Sequence, residues 1–415
     1  MQKGFFRLMP PDRVFEIIET FSPGQEEGLS LEDALGRVLS QDIYSPSDMP
    51  GFLRATMDGY AVRAEDTFGA SSTLPAVLEV KGEVRMGKMP EVSIGKGEAV
   101  KIATGGMLPQ GANGVVMIEF CHHIDDNTIE VEKAISPWEN VMQPDDDIRR
   151  GEVVLKKGKR LRPQDIGALA GLGIQHLRVY KRPRIAIIST GDEVVPIDRA
   201  PAPAQVRDIN RYTLSAFCSA LGAVPVFLGI CPDEFTALRD SLKQGLEVAD
   251  TVWISGGSSV GTRDLTLKVF ESIKGFDLLV HGIAVRPGKP TIIGRIGSKP
   301  IVGLPGQVTS AFIVAEVFMS RLIKRLSGEG SPAIGPGIDA IMARNMESSA
   351  GREDYIRVRL AREGNEIFAD PIIGKSGLIS PLVEADGLVR IGINREGLYK
   401  GEKVKVIPFI SRGVL

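Results

Sequence analysis

The chain holds 415 residues, 43% hydrophobic and 25% charged, which suits a folded globular protein of several domains at roughly 150 residues each. Fifty basic against 52 acidic residues leave a formal charge of −2, which argues against a general nucleic-acid binder. Three cysteines (Cys121, Cys218 and Cys231) form no Cys-x-x-Cys pair, so a disulfide framework is excluded and a reducing cytosol expected, and four histidines speak against a histidine-built zinc site.

Along the chain, the N-terminal MQKGFFRLMPPDRVFE has no apolar stretch long enough for a signal peptide. Pro10-Pro11 ahead of Val14, Ile17, Ile18 and Phe21 predicts a helix. Ser30 with Asp33 resembles a capping box for a second helix over 31–39. From about Pro50 to Pro144 the sequence turns strand-like and is punctuated by Gly and Pro, with strand candidates at 76–80 and 114–118. Helical character returns over 163–172 and ends at Gly171 and Gly173, so the β-rich part reads as an insertion into a helical domain. From Arg184 to about Leu326 strands and helices alternate. The run Ile185-Ala186-Ile187-Ile188 suits a strand buried on both faces. A helix over 210–221 follows with Asn210 as N-cap, then a strand at 224–228, a helix over 233–248, a strand at 251–254 and a helix after Asp264. Two strands are expected at 290–295 and 300–304. The apolar run from Val308 carries Glu316 and Arg321 and reads as a buried helix, not a membrane span. Segment 327–337 is a linker, and period-two alternation at 355–360 and 403–407 predicts a small barrel or sandwich. The expected fold class is multidomain α/β and β: a doubly wound central domain with a mostly parallel sheet (181–328), a helical N-terminal domain (1–50 and 144–180) carrying an inserted β-rich domain (51–143), and a C-terminal β-barrel-like domain (329–415).

Ligands of open α/β sheets bind beyond the carboxyl ends of the strands. Three such ends are unusual here: Ser189-Thr190-Gly191-Asp192-Glu193; Ser255-Gly256-Gly257-Ser258-Ser259-Val260-Gly261 with Asp264 beyond; and Gly303-Leu304-Pro305-Gly306-Gln307 before the long helix. Glycines allow close backbone approach, their amides line anion pockets, and helix N-termini add partial positive charge, so a phosphate or another oxyanion is expected. Asp192, Glu193 and Asp264 suit a Mg2+ ion bridging phosphates. Arg286 and Lys289, set among Pro287 and Pro290, add a planar donor fork and a point charge. In the β-rich part, loops 55–62 and 101–109 stand out, as does Asp145-Asp146-Asp147, which taken alone caps a helix or lies in solvent. His122 and His123 are neighbours on a strand and point to opposite faces, so they make no chelate.

Together, Met57-Asp58-Gly59-Tyr60-Ala61-Val62, Ile102-Ala103-Thr104-Gly105-Gly106, Ser189-Thr190-Gly191-Asp192-Glu193, Gly256-Gly257-Ser258-Ser259-Val260-Gly261 with Asp264, Arg286-Pro287-Gly288-Lys289-Pro290 and Gly303-Leu304-Pro305-Gly306 resemble the molybdopterin molybdenumtransferase family, relatives of the gephyrin C-terminal domain. The resemblance runs over essentially the whole chain. It implies a cytoplasmic, four-domain homodimer whose active site lies between the α/β domain of one subunit and the inserted and C-terminal domains of the other. It implies adenylylated molybdopterin and molybdate as substrates, with Mg2+ assisting, and molybdenum cofactor and AMP as products. Further partners would be the molybdopterin adenylyltransferase and apo-molybdoenzymes; neither nucleic acid nor membrane is implied.

The resemblance also implies residue roles. Arg286, Lys289, Pro290, Ser310, Arg357 and Ser376 would hold the oxyanion. Thr190, Gly191, Gly256, Gly257, Ser258, Ser259 and Gly261 would line the substrate's phosphoric anhydride. Asp192, Glu193, Asp233 and Asp264 would hold Mg2+ or orient water, and Asp58, Thr104 and Asp147 would act across the dimer. The new molybdenum–sulfur bonds come from the pterin's dithiolene, so no cysteine ligand is required. The chain departs from the family pattern at Thr56, Asn113, Met142, Asp145-Asp146, Arg286, Gln307-Val308 and Gly374-Lys375. Two other readings stand beside this one. Molybdopterin adenylyltransferases share the α/β domain but usually consist of it alone, whereas long segments flank it here. A non-catalytic pterin-binding paralogue or scaffold is suggested by Met142 and Gln307-Val308, although Asp264 and Lys289 are both present.

Overall fold

The computed structural model describes residues 8–256, 262–330 and 337–409, with backbone alone at 262–264. The chain forms two compact units, one of Met1–Gln41, Lys157–Arg162 and His176–Leu415, the other of Asp42–Lys156 and Pro163–Gln175.

In the first unit, α1 (Pro11–Glu19) opens with Pro11 at its first helical position, where no amide bond is lost, and buries Val14 and Ile18. After β1 (Glu26–Ser30) the expected second helix does not form. A single 3-10 turn covers Leu31–Asp33, and the Ser30 hydroxyl donates to the Asp33 carboxylate at 2.9 Å instead of capping an amide. Gly36 then takes φ +73°, and the Leu39 amide bonds the Lys159 carbonyl at 3.0 Å. Non-local pairing overrides a local helix signal here.

The second unit carries β2 (Gly59–Val62), β3 (Ala76–Glu83), β4 (Glu98–Ile102), β5 (Gly114–Met117), β6 (Cys121–Asp125) and β7 (Thr128–Val131) in one mixed sheet of order β5-β2-β4-β3-β7-β6. β2 is buried on both faces: Ala61 joins Val100, Ile102 and Val115 in one core, while Tyr60 and Val62 join Val116 and Ile129 in another. The helix α2 (Pro163–Gly171) completes this unit.

The chain returns to the first unit through β8 (His176–Tyr180), antiparallel to β1. Then follow β9 (Arg184–Thr190), α3 (Asn210–Ala220), β10 (Val224–Cys231), α4 (Phe235–Val248), β11 (Thr251–Gly256), α5 (Thr262–Glu271), β12 (Phe276–His281), β13 (Val285–Arg286), β14 (Ile292–Ile296) and β15 (Lys299–Leu304). The described sheet has the order β10-β9-β11-β15-β14-β12; its first four strands are parallel, β14 turns back on β15, and β12 pairs antiparallel with β14. Alternation explains the continuous apolar runs. Ile185, Ile187, Trp253 and Val302 face the core containing Leu214 and Phe318, whereas Ala186, Ile188, Val252 and Ile301 face the core containing Leu238 and Phe270. The expected Asn210 cap is corrected: Asp208 Oδ1 accepts the Arg211 amide at 3.0 Å, and Asn210 is engaged elsewhere. β12 went unpredicted because it is an edge strand with exposed Asp277 and Leu278 and no clean alternation.

The apolar run becomes α6 (Val308–Val314), a π-helical turn over Ala315–Met319, and α7 (Ser320–Leu326), all largely buried. No helix among the described residues is long and apolar enough to cross a membrane. The C-terminal part comprises β16 (Ile338–Met342), β17 (Glu353–Glu363), β18 (Glu366–Pro371), α8 (Ser380–Val383), β19 (Gly387–Ile391) and β20 (Lys403–Pro408). Its strands run in the order β17-β18-β16-β20-β19 and close back onto β17, a five-stranded barrel filled by Met342, Val358, Ala369, Val389 and Val406. Tyr355, Leu382, Leu388 and Phe409 belong to the same core as Leu304 and Val308, so barrel and α/β domain are packed as one body.

Phe270 is fully buried and lies against Phe276 with ring centroids 5.9 Å apart. Phe270→Ala is expected to destabilise the first unit by about 3–5 kcal/mol, read as a lowered denaturant midpoint.

Candidate active site

A cavity of about 430 Å³ opens where the loop after β13, the start of α6, the bend before β17 and the loop after β18 meet. Arg286, Pro287, Gly288, Lys289 and Pro290 form one wall, Gln307 and Ser310 another, Ser349 to Arg352 a third, and Ser376 the last. Its described lining therefore carries three cations (Arg286, Lys289 and Arg352) and three hydroxyls, and no acidic side chain. Gly288 is required by geometry: φ is +111°, and a Cβ there would lie 2.4 Å from Val314 Cγ2.

The buried Arg357 stands behind this lining. Its Nη2 donates to the Gly374 carbonyl at 2.9 Å, and burial pulls its pKa below the usual guanidinium value. Thr309 fastens the same loop twice: its amide donates to the Ser376 carbonyl at 3.1 Å and its hydroxyl to the Leu378 carbonyl at 2.9 Å. The structure thus brings Arg286, Lys289, Pro290, Ser310 and Ser376 to one cavity and sets Arg357 beside it. Sequence reading missed Arg352. The signal was the pair Gly351-Arg352 just ahead of the alternating strand.

At the carboxyl edge of the sheet, the Thr190 hydroxyl donates to Asp233 Oδ1 at 2.6 Å, and the Asp233 amide donates to Asp192 Oδ1 at 3.2 Å. Glu193 folds over Gly191, where a Cβ would meet its Oε2 at 2.8 Å. Gly256 takes φ +144°, and a Cβ there would lie 2.0 Å from the Thr190 carbonyl oxygen. Asn210, thought to be a cap, ties two strand ends together: its Nδ2 donates to Ser255 Oγ and to the Gly306 carbonyl, both at 2.8 Å. Gly257, Ser258, Ser259 and Gly261 lie outside the described residues, as does the side chain of Asp264 on α5. Among the described residues no group of three or more His, Cys, Asp or Glu is gathered as for a metal. Asp192 and Asp233 each commit Oδ1 to the loop; their chemistry, hard carboxylate oxygen, fits a hard divalent cation.

In the second unit, Asp58 Oδ1 accepts both the amide (2.7 Å) and the hydroxyl (2.9 Å) of Thr104. These two bonds, the amide first, hold the exposed Asp58 carboxyl below its usual range. Asp147 is exposed, and its amide donates to the Met49 carbonyl at 3.1 Å; no described bond joins it to Asp58. Its neighbours make local bonds, Asp145 with Arg149 at 2.8 Å and Asp146 with the Gln143 amide at 2.7 Å. Two departures from the family pattern have structural work. Asn113 Oδ1 accepts the Ala64 amide at 2.7 Å, and Met142 Sδ lies 3.4 Å from Arg54 Nη2. His122 and His123 turn to different partners, Glu132 and Tyr60. The three thiols are all pushed up in pKa, chiefly by burial, with Cys121 at about 12.

Residues 9–173 match the MoeA N-terminal region (domains I and II), residues 186–325 a probable molybdopterin-binding domain, and residues 339–409 the MoeA C-terminal region (domain IV). The chain is similar to a Methanocaldococcus jannaschii protein named for molybdopterin biosynthesis, with 38% identity over 91% of each chain. It is 31% identical to the molybdopterin molybdenumtransferase of Haemophilus influenzae, covering 93% of this chain and 95% of that one. The crystal structure of a molybdopterin biosynthesis MoeA protein from Pyrococcus horikoshii superposes with a TM-score of 0.80 at 37% identity, covering 98% of this chain and all of the other.

Two outcomes are expected. Thr104→Val removes the hydroxyl donor but keeps the amide, so the Asp58 pKa should rise part of the way to the ordinary value, read by carboxyl 13C NMR titration. Because the folded pKa lies below the unfolded one, the Asp58–Thr104 bonds stabilise the loop above the usual aspartate range and are lost as pH falls through the lowered value. With a pKa of about 12, Cys121 is thiolate to roughly one part in ten thousand at pH 8, so iodoacetamide should label it far more slowly in the native than in the unfolded protein.

Proposed function

The chain belongs to the MoeA family, and from that membership we propose that it is a molybdopterin molybdenumtransferase, converting adenylylated molybdopterin and molybdate into molybdenum cofactor and AMP. The observation that carries the proposal is the cavity whose described lining holds cations and hydroxyls and no acid. Molybdate is a tetrahedral dianion. Arg286 and Lys289 offer it charge, Ser310 and Ser376 offer hydroxyl donors, and Arg357 holds the Gly374 end of the loop bearing Ser376.

The adenylylated substrate's anhydride is assigned to the strand ends at Thr190, Gly191 and Gly256, and the family resemblance adds Gly257, Ser258, Ser259 and Gly261 to that assignment. Close backbone approach at Gly256 supports that assignment. Asp192, Glu193 and Asp264 are the residues that would hold Mg2+, which when bound supplies charge neutralisation at phosphate oxygens. Asp233, fixed between Thr190 and Asp192, orients the water that cleaves the anhydride. Asp58, Thr104 and Asp147 serve the site across a cytoplasmic homodimer, a role carried over from the family resemblance along with the four-domain division.

The test incubates purified protein with adenylylated molybdopterin, molybdate and Mg2+. AMP release coupled to reconstitution of an apo-molybdoenzyme is expected. Tight substrate binding without release would overturn the enzyme reading and leave a pterin-binding paralogue. Asp264→Ala and Asp58→Ala should each lower release by about a hundredfold or more without unfolding the protein, within the range known for lost acid–base or electrostatic groups. Lys289→Ala should raise the molybdate KM by roughly tenfold, the loss of one charge-assisted contact.

A further inference from the structure

We propose that Arg352 is an oxyanion-binding residue of the cavity, and that Asp354 is the positioning residue that sets Arg352 and Arg286 there together. The inference rests on the reading of the cavity as a molybdate site and adds two residues to it. Asp354 is 1% exposed, and a buried carboxylate persists only where cations meet it. It meets two. Arg352 Nε donates to Oδ1 at 3.0 Å, and Arg286 Nη1 lies 3.8 Å from Oδ2. Parallel pairing of β13 with β17 places Arg286 directly opposite Asp354, so the contact with Arg286 follows from the backbone register. Both arginines line the cavity, whereas Asp354 does not.

The arrangement uses what separates arginine from lysine. A guanidinium binds a carboxylate along one edge and keeps further donors for a second anion; an ammonium is a point charge with no such division. Arg352 commits Nε to Asp354, which leaves its terminal nitrogens for the oxyanion. Two guanidiniums converging on one cavity also repel each other, and the carboxylate between them offsets that repulsion before any ligand arrives.

Charge alone and positioning predict opposite signs for Asp354→Asn. A carboxylate near an anion site weakens anion binding through space, so if Asp354 acted only by its charge the asparagine variant would bind molybdate more tightly. If it positions the arginines, the variant binds more weakly. The experiment is isothermal titration of the full chain with sodium molybdate, the fold of each variant being checked by circular dichroism and thermal unfolding. Arg352→Ala should raise the Kd about tenfold or more, Arg352→Lys should restore part of that loss, and Asp354→Asn should raise the Kd about fivefold. The double variant Arg352→Ala/Asp354→Asn should bind no more than about threefold worse than Arg352→Ala, because part of what Asp354 does is done through Arg352. An Arg352→Ala Kd within twofold of wild type, a tighter Asp354→Asn, or fully additive losses would each overturn the proposal while leaving the cavity reading standing. A wild-type protein that binds no molybdate overturns the cavity reading and this proposal with it.

Discussion

Two residues of parallel β-pairing hold together the cavity lined by Arg286, Lys289 and Arg352. Val285-Arg286 lies against Glu353-Asp354, and the Glu353 amide extends the ladder to the Ala284 carbonyl at 2.8 Å. Through this short ladder β17 joins the loop that carries Arg286, Gly288 and Lys289. The ladder sets the wall of Ser349 to Arg352 against the wall of Arg286 to Pro290. The rest of the lining is adjusted to the same contact: Gly288 passes close to Val314, and Thr309 pins the opposite loop from the start of α6. The shared apolar core around Leu304, Val308, Tyr355 and Phe409 keeps the two parts from separating, so the loops that line the cavity are carried on packed elements.

Electrostatics follow a division the overall charge conceals. A net charge of −2 gives the molecule little long-range field for steering an anion. At short range the balance is different, since two unit charges 4 Å apart near a protein surface interact by about 4 kcal/mol. The cavity therefore needs only a local excess of cations. Carboxylates appear elsewhere with their own donors: Asp58 on Thr104, Asp233 beneath Thr190, Asp192 on the Asp233 amide. Each is fixed by a backbone or hydroxyl hydrogen bond, which holds a direction without neutralising the charge.

Much of this was legible from the amino-acid order. The parallel sheet announced itself because strands buried on both faces leave unbroken apolar runs, and the barrel because its strands alternate. The glycine-rich ends were legible because a backbone that must approach another closely tolerates no Cβ. What escaped was whatever depends on a distant partner. The capping box at Ser30 and Asp33 is chemically real, since the two side chains do bond, yet pairing with the 157–162 segment settles the backbone. Asn210 has the composition of a cap and the position of a brace. Arg352 and Asp354 look like ordinary strand-edge charges until the register of β13 on β17 is known. Of the three residues that resemblance alone grouped, Asp58 and Thr104 do bond each other, but no described bond joins Asp147 to either, so nothing in the sequence pattern could have set it beside them.

The helix α1 packs against the π-helical turn and α7, elements distant in the sequence. Its Val14 and Ile18 lie in one core with Phe318 and Leu322, Phe15 stacks on Phe318 at 5.1 Å, and Arg325 Nε donates to the Phe21 carbonyl at 2.6 Å. On a ribosome moving at roughly 5–20 residues per second, those partners emerge about 15–60 seconds after the helix does. Through that interval a short amphipathic helix lacks the partners of its apolar side, while the sheet of the inserted unit, whose strands all lie between Gly59 and Val131, can close from its own sequence. Synthesis thus supplies every strand of the inserted unit's sheet well before it supplies the partners of α1, and the barrel strands at 338–408 that join the same core come later still.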